Sequence, residues 1–228
     1  MSNTVTAGEQ QAGAGRDGAA RSGSRSVAAG VAGVAYLASW AAGLVAMSVR
    51  PLNVPIDASS PQVVAGYAGH LAAATVQNLL SEGLPAIALA VVVLWLGRAV
   101  PAGATRGVVL WTGIAAVAVS LAQCVLGLML TAWALPDHRT GLAGGLFVAV
   151  NHLDGVKMLL LAALALAAGR GGALPRWVGV VGVVLALSLA ASGIGYLLLL
   201  NGLGDAAFVS GPILLVWVCA AGLTARRR

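Results

Sequence analysis

Along the chain, polar positions are pushed into short gaps between six apolar stretches, at about 26–48, 71–96, 107–135, 142–168, 175–200 and 206–223. An α-helix rises 1.5 Å per residue, so each stretch is long enough to cross roughly 30 Å of hydrocarbon, the sixth with least to spare. The pattern predicts six transmembrane helices. The gaps carry helix breakers: Pro51, Pro55 and Pro61, then Pro101, then Pro136 with Asp137, then Gly171, Gly172 and Pro175. Such short connections make the third to sixth spans antiparallel neighbours. In the longer first gap, Ser60-Pro61 reads as an N-cap and helix-starting proline, opening a short interfacial helix. Unbroken helix from Pro61 to Leu96 would exceed about 50 Å, so a break is expected near Gly66 or Gly69.

Composition removes the soluble alternative. Hydrophobic residues make up 59% of the 228 and charged residues 9%, with a mean hydropathy of +0.92, whereas a soluble domain carries about a quarter of its residues as charges. Residues 1–26 differ from the rest. They are rich in Gly, Ala and Ser and lack the apolar surface to offset ordering entropy, so they read as a disordered cytoplasmic tail preceding a 27–228 membrane domain. The first apolar stretch is too long for a signal-peptide core and reads as a retained span.

The net charge of +6 is spread thinly through loops and termini, which argues for topology rather than nucleic acid. With both termini cytoplasmic, Arg16, Arg21, Arg25, Arg98, Arg106, Arg170, Arg176 and Arg226 to Arg228 fall inside, and only Arg50 and Arg139 fall outside. The expected location is the plasma membrane. The tryptophans Trp40, Trp95, Trp111, Trp133, Trp177 and Trp217 lie mostly near span ends and read as interfacial anchors. Gly141 with Gly145, and Ser188 with Ser192, have the four-residue spacing that lets helix backbones approach closely. Cys124 and Cys219 lie inside spans and read as small packing residues.

Ionisable and amide side chains inside a span are costly and normally face the bundle interior. Gln77, Asn78, Ser81 and Glu82 form one stripe on the second span, followed by Pro85. Asn151, Asp154 and Lys157 share a broad face of the fourth, and the third contributes Ser120, Gln123 and Thr131. The fifth span adds Ser188, Ser192 and Tyr196. Counted from the outer span ends, Glu82, Gln123 and Asp154 come out roughly 16 to 18 Å deep and Lys157 about 22 Å. They share one layer. Lys157 can pair with Asp154 three residues away or with Glu82 across the bundle; if both carboxylates are charged, the group carries an excess negative charge that a proton or cation would balance.

Two readings of that layer stand together. One is a set of cross-helix pairs that fixes register. The other is a pocket, lined by Asn78, Glu82, Gln123, Asn151, Asp154 and Lys157, for a proton, a cation, or a small or lipophilic ligand, with Glu82 and Asp154 as the candidate catalytic acids. His70, His138 and His152 are placed at or near the outer boundary, and no metal site or cofactor is indicated. Phosphate-binding loops, dinucleotide fingerprints, HExxH, GxSxG and CxxC are all missing from the sequence. The partners expected are membrane lipid and a lipophilic small molecule, with a homo-oligomer left open.

The segment Leu174 to Gly179, LPRWVG, with the AGVAYL start of the first span at Ala32 to Leu37 and Glu82 in the second, resembles a family of bacterial six-helix integral membrane proteins of unassigned activity. The resemblance covers Ala28 to Arg228 and implies the fold and the location. Asn151 to Lys157, NHLDGVK, has no counterpart in that resemblance. A second likeness is to small membrane-embedded terpene cyclases, which protonate a polyprenyl epoxide or alkene with a buried carboxylic acid. They have seven spans and an aromatic residue beside the acid, whereas Glu82 is flanked by Ser81 and Gly83.

The topology is directly testable by cysteine accessibility. In a Cys-free background, Asp57→Cys and Asp137→Cys should react with an impermeant thiol reagent from outside; labelling from the cytoplasmic side alone would invert the orientation.

Overall fold

A computed structural model describes residues 27–46 and 54–225. The disordered tail expected at 1–26 lies outside the described residues, as do Arg50 and Arg226 to Arg228. Six helices are long and apolar enough to span a membrane, and no strand occurs among the described residues. The chain is an all-α, six-span bundle. We label the helices α1 (Val27–Ala46), α2 (Ser60–Tyr67), α3 (Leu71–Ala99), α4 (Ala104–Ala134), α5 (Thr140–Arg170), α6 (Arg176–Leu197) and α7 (Asn201–Thr224). The last span starts five residues before its apolar stretch, because Asn201 to Gly204 already form a helical turn.

The connection between α2 and α3 bends where expected. Gly69 takes φ +75°, a left-handed conformation open to glycine at little cost. The N-cap is Ser59 rather than Ser60, one residue before the expected position: its backbone N–H and its hydroxyl both donate to the Gln62 side-chain oxygen at 2.8 Å. Helix α2 lies on α5, where Ser60 contacts Gly144 and Tyr67 meets Phe147 edge to face at 6.4 Å. Burial pushes the Tyr67 phenol up to about 12.

Helices α4 to α6 pack as sequential antiparallel neighbours, α5 and α6 most extensively. Their seam is built from glycines. A Cβ at Gly155 would come within 2.7 Å of the Gly193 carbonyl, one at Gly193 within 2.9 Å of the Gly155 carbonyl, and Gly169 faces Gly179 backbone to backbone. Gly141 and Gly145, singled out by spacing, have nothing within 4 Å of a built Cβ. Spacing marks small residues but not the face they occupy; Ser192 does sit at a contact, 3.1 Å from Ser210 of α7. Helix α1 closes the bundle against α7, with Gly33 at the Cys219 backbone, and Ser39 donates to the Leu80 carbonyl of α3 at 2.6 Å.

Two tryptophans depart from the interfacial role. Trp95 and Trp217 are buried in the bundle, donating to the carbonyls of Ala225 at 3.2 Å and Val178 at 3.1 Å. An indole N–H in a dry interior needs such an acceptor, and the neighbouring helix ends supply one. Trp111, Trp133 and Trp177 are exposed on the outside of the bundle.

The glycine seam predicts a contrast. Gly193→Val should lower stability in detergent by about 1–3 kcal/mol through overpacking, while Gly145→Val should stay within about 0.5 kcal/mol. Melting curves of the two variants check this, and equal effects would sink the assignment of the seam.

Candidate functional site

The site begins with an irregularity in α3. Pro85 has no N–H, and in a regular helix its ring would clash with the carbonyl four residues back, that of Ser81. The chain responds with a π-helical turn over Leu79–Gly83, in which the Leu84 N–H reaches back five residues to the Leu79 carbonyl. The Ser81 hydroxyl donates to the Gln77 carbonyl, and Ser39 caps the Leu80 carbonyl. Glu82 sits within this turn. A second π turn, Leu130–Ala134, likewise runs toward a proline, Pro136.

Opposite Glu82, α5 presents Lys157. Its ammonium donates to both Glu82 oxygens at 2.8 Å and lies 2.7 Å from Asp154 Oδ1. All three ammonium protons are thereby used. Gln123 reaches in from α4: its amide nitrogen donates to the Val150 carbonyl and to Asp154 Oδ1, each at 3.2 Å. Its own oxygen, on a side chain only 2% exposed, has no hydrogen-bond partner. A buried acceptor left open in this way is unusual and costs free energy unless something donates to it.

Two cavities meet at the cluster, and Ser81, Glu82 and Asp154 belong to the walls of both. The first, about 180 Å³, runs between α3, α4 and α5 from Tyr67 and Thr131 down to the carboxylates. Two of its amides are held by backbone carbonyls: Asn78 donates to the Cys124 carbonyl at 2.8 Å, and Asn151 faces the Ile56 carbonyl at 3.5 Å. Gln123 belongs to the same wall, and its buried oxygen is the end left without a partner there. The second cavity, about 110 Å³, lies on the side of α1, α6 and α7, and its wall includes Tyr36, Trp40, Tyr196 and Ser210. Each has room for a few waters.

Of the residues singled out by sequence, Glu82, Gln123, Asp154 and Lys157 form one bonded network, and Asn78 and Asn151 line the first cavity above it. His152 departs from its expected place at the outer boundary. Two residues from Asp154, it lies at nearly the same level on the exposed side of α5. Tyr36, Trp40, Tyr67 and Ser210 were not foreseen as site residues. The four-residue spacing of Tyr36 and Trp40 on one face of α1 is the signal that could have found two residues of the second cavity's wall. Among the described residues no group of three or more His, Cys, Asp and Glu side chains could hold a metal ion.

Breaking a buried ion pair leaves an uncompensated charge, so Lys157→Met should destabilise by about 3–5 kcal/mol. Glu82→Gln in that background should restore part of the loss, with a coupling above about 0.5 kcal/mol in a double-mutant cycle. Additive effects in denaturant titrations would mean that the two residues do not share a site.

The chain matches no protein-family model, no curated protein and no solved structure. The geometry of the cluster therefore carries the functional reading.

Proposed function

We propose that the chain is a multi-pass plasma-membrane protein, both termini cytoplasmic, whose buried cluster takes up and releases one monovalent positive charge, a proton or a small cation, from the first cavity. The observation that carries this reading is the open Gln123 oxygen beside Asp154. Lys157 offsets one of the two carboxylates, so the ionised group totals −1. A single positive charge brings it to neutrality, whereas a divalent ion would leave a buried excess of the opposite sign. Asp154 Oδ2 and the Asn78, Asn151 and Gln123 oxygens supply the hard-oxygen chemistry that such an ion prefers.

Cavity size supports an ion with a few waters over a lipophile. Both cavities fall below the roughly 300 Å³ at which pockets for drug-sized ligands begin. A second reading, acid-catalysed cyclisation of a polyprenyl substrate, draws support from Tyr36, Trp40 and Tyr196 around the second cavity, since aromatic faces stabilise a cation. Against it, both Glu82 oxygens are occupied by the Lys157 ammonium, which leaves that carboxylate no proton to give.

Replacing choline chloride by NaCl or KCl at constant ionic strength should raise the melting temperature by a few degrees. Liposomes loaded with a pH-sensitive dye report the proton alternative as flux under an imposed potential. Asp154→Asn leaves a neutral Glu82–Lys157 pair and should abolish either response without loss of stability. No cation effect and no flux in the unsubstituted protein would reduce the cluster to a register device; turnover of a polyprenyl epoxide would establish the cyclase.

A further inference from the structure

A separate groove lies at the opposite, arginine-bearing end of the bundle, where α5 ends and α6 begins. It measures about 490 Å³ and is floored by Leu166, Gly169, Gly179 and Val183, with Arg170 and Arg176 in its wall. The close approach at Gly169 and Gly179 brings both arginines to one site from two helices. Both are exposed, and neither has an ion pair among the described residues. The nearest carboxylate along α5 is Asp154, about 24 Å of helix away.

The start of α6 adds to the positive field. Pro175 stands at the N-cap and offers no side-chain acceptor. The first intrahelical bond is that of the Gly179 N–H to the Pro175 carbonyl at 3.1 Å, so the N–H groups of Arg176, Trp177 and Val178 face outward unpaired. A basic residue at the first helical position opposes the helix dipole; Arg176 raises a repulsion there that an anion would relieve. Below the arginines the floor is apolar and opens to lipid, with Val180 and Val183 66% and 48% exposed.

We propose that this groove binds an anionic phospholipid, its phosphodiester on Arg170 and Arg176 at the α6 N-terminus and an acyl chain along Leu166 and Val183. Charge complementarity selects an anion, and the apolar floor directly beneath selects one that carries a hydrocarbon tail. The site is independent of the midplane cluster.

Native mass spectrometry of the full chain in detergent, titrated with phosphatidylglycerol or phosphatidylcholine, tests this. Phosphatidylglycerol should be retained in preference, and Arg170→Gln/Arg176→Gln should weaken that preference roughly tenfold. Val183→Trp, which fills the floor without altering charge, should also lower retention. Arg98→Gln/Arg106→Gln removes the same charge from the same end outside the groove and should leave the preference intact. Melting curves establish that each variant is folded. Equal losses in the two double variants would assign the preference to the general surface field and overturn the site, as would competition by inorganic phosphate as effective as the lipid, or full retention by Val183→Trp.

Discussion

The placement of one ammonium between two carboxylates, deep in an apolar bundle, constrains everything around it. Lys157 cannot be left alone at that depth, and neither can Glu82 or Asp154. Together they tie α5 to α3, and Gln123 draws in α4 through Asp154 and the Val150 carbonyl. A helix sliding by one turn along its axis would break several charge-assisted hydrogen bonds in a medium with nothing to replace them. Apolar packing against lipid-like surroundings provides no comparable preference for one register, so the cluster specifies what the leucines and alanines cannot.

The irregularities of α3 follow from that constraint. A π turn directly before Pro85 disrupts the helical ladder, and the disruption is tolerated because Ser39, Ser81 and the Leu84 N–H satisfy the displaced groups. Asn78 fits against α4 only because position 127 is glycine: a Cβ there would lie 2.6 Å from the Asn78 side-chain oxygen. With its N–H₂ donating to the Cys124 carbonyl, that amide joins the cavity wall beside Gly127. Small residues and local backbone distortion thus set the polarity of the cavity wall.

The spans and the depth of the cluster were legible because both follow from counting. Hydropathy marks where a helix crosses, and the rise per residue places Glu82, Gln123 and Asp154 at one level with Lys157 nearly one turn further in along α5. What counting along a helix leaves undetermined is rotation about its axis. Gly141 and Gly145 carry the same spacing as a packing seam, yet the seam is Gly155 with Gly193 and Gly169 with Gly179. Trp95 and Trp217 sit near span ends like the exposed Trp111 and Trp177 but turn inward to backbone carbonyls. Tyr36, Trp40 and Ser210 became neighbours of the cluster only when α1 and α7 closed over it; the spacing of Tyr36 and Trp40 marks a shared face of α1 but not what that face meets.

Charge is sorted along the bundle axis, and the sorting bears on how the cluster is balanced. Among the described residues, Arg98, Arg106, Arg170 and Arg176 gather at one end. Asp57, Asp137 and Asp205 lie at the other, where Arg139 is held by Asp137 at 3.3 Å and stacks over Trp133. The arginines are too far along the helices to neutralise the midplane, since an interaction over about 24 Å is weak beside the desolvation of a buried charge. On the reading proposed above, compensation comes through a cavity. The first cavity is lined by the amides of Asn78, Gln123 and Asn151, and the second by Tyr36, Trp40 and Tyr196 among apolar side chains. The asymmetry gives the cluster one more polar flank and one more apolar flank, so on the proposed reading a positive charge would approach Asp154 from the α2 side.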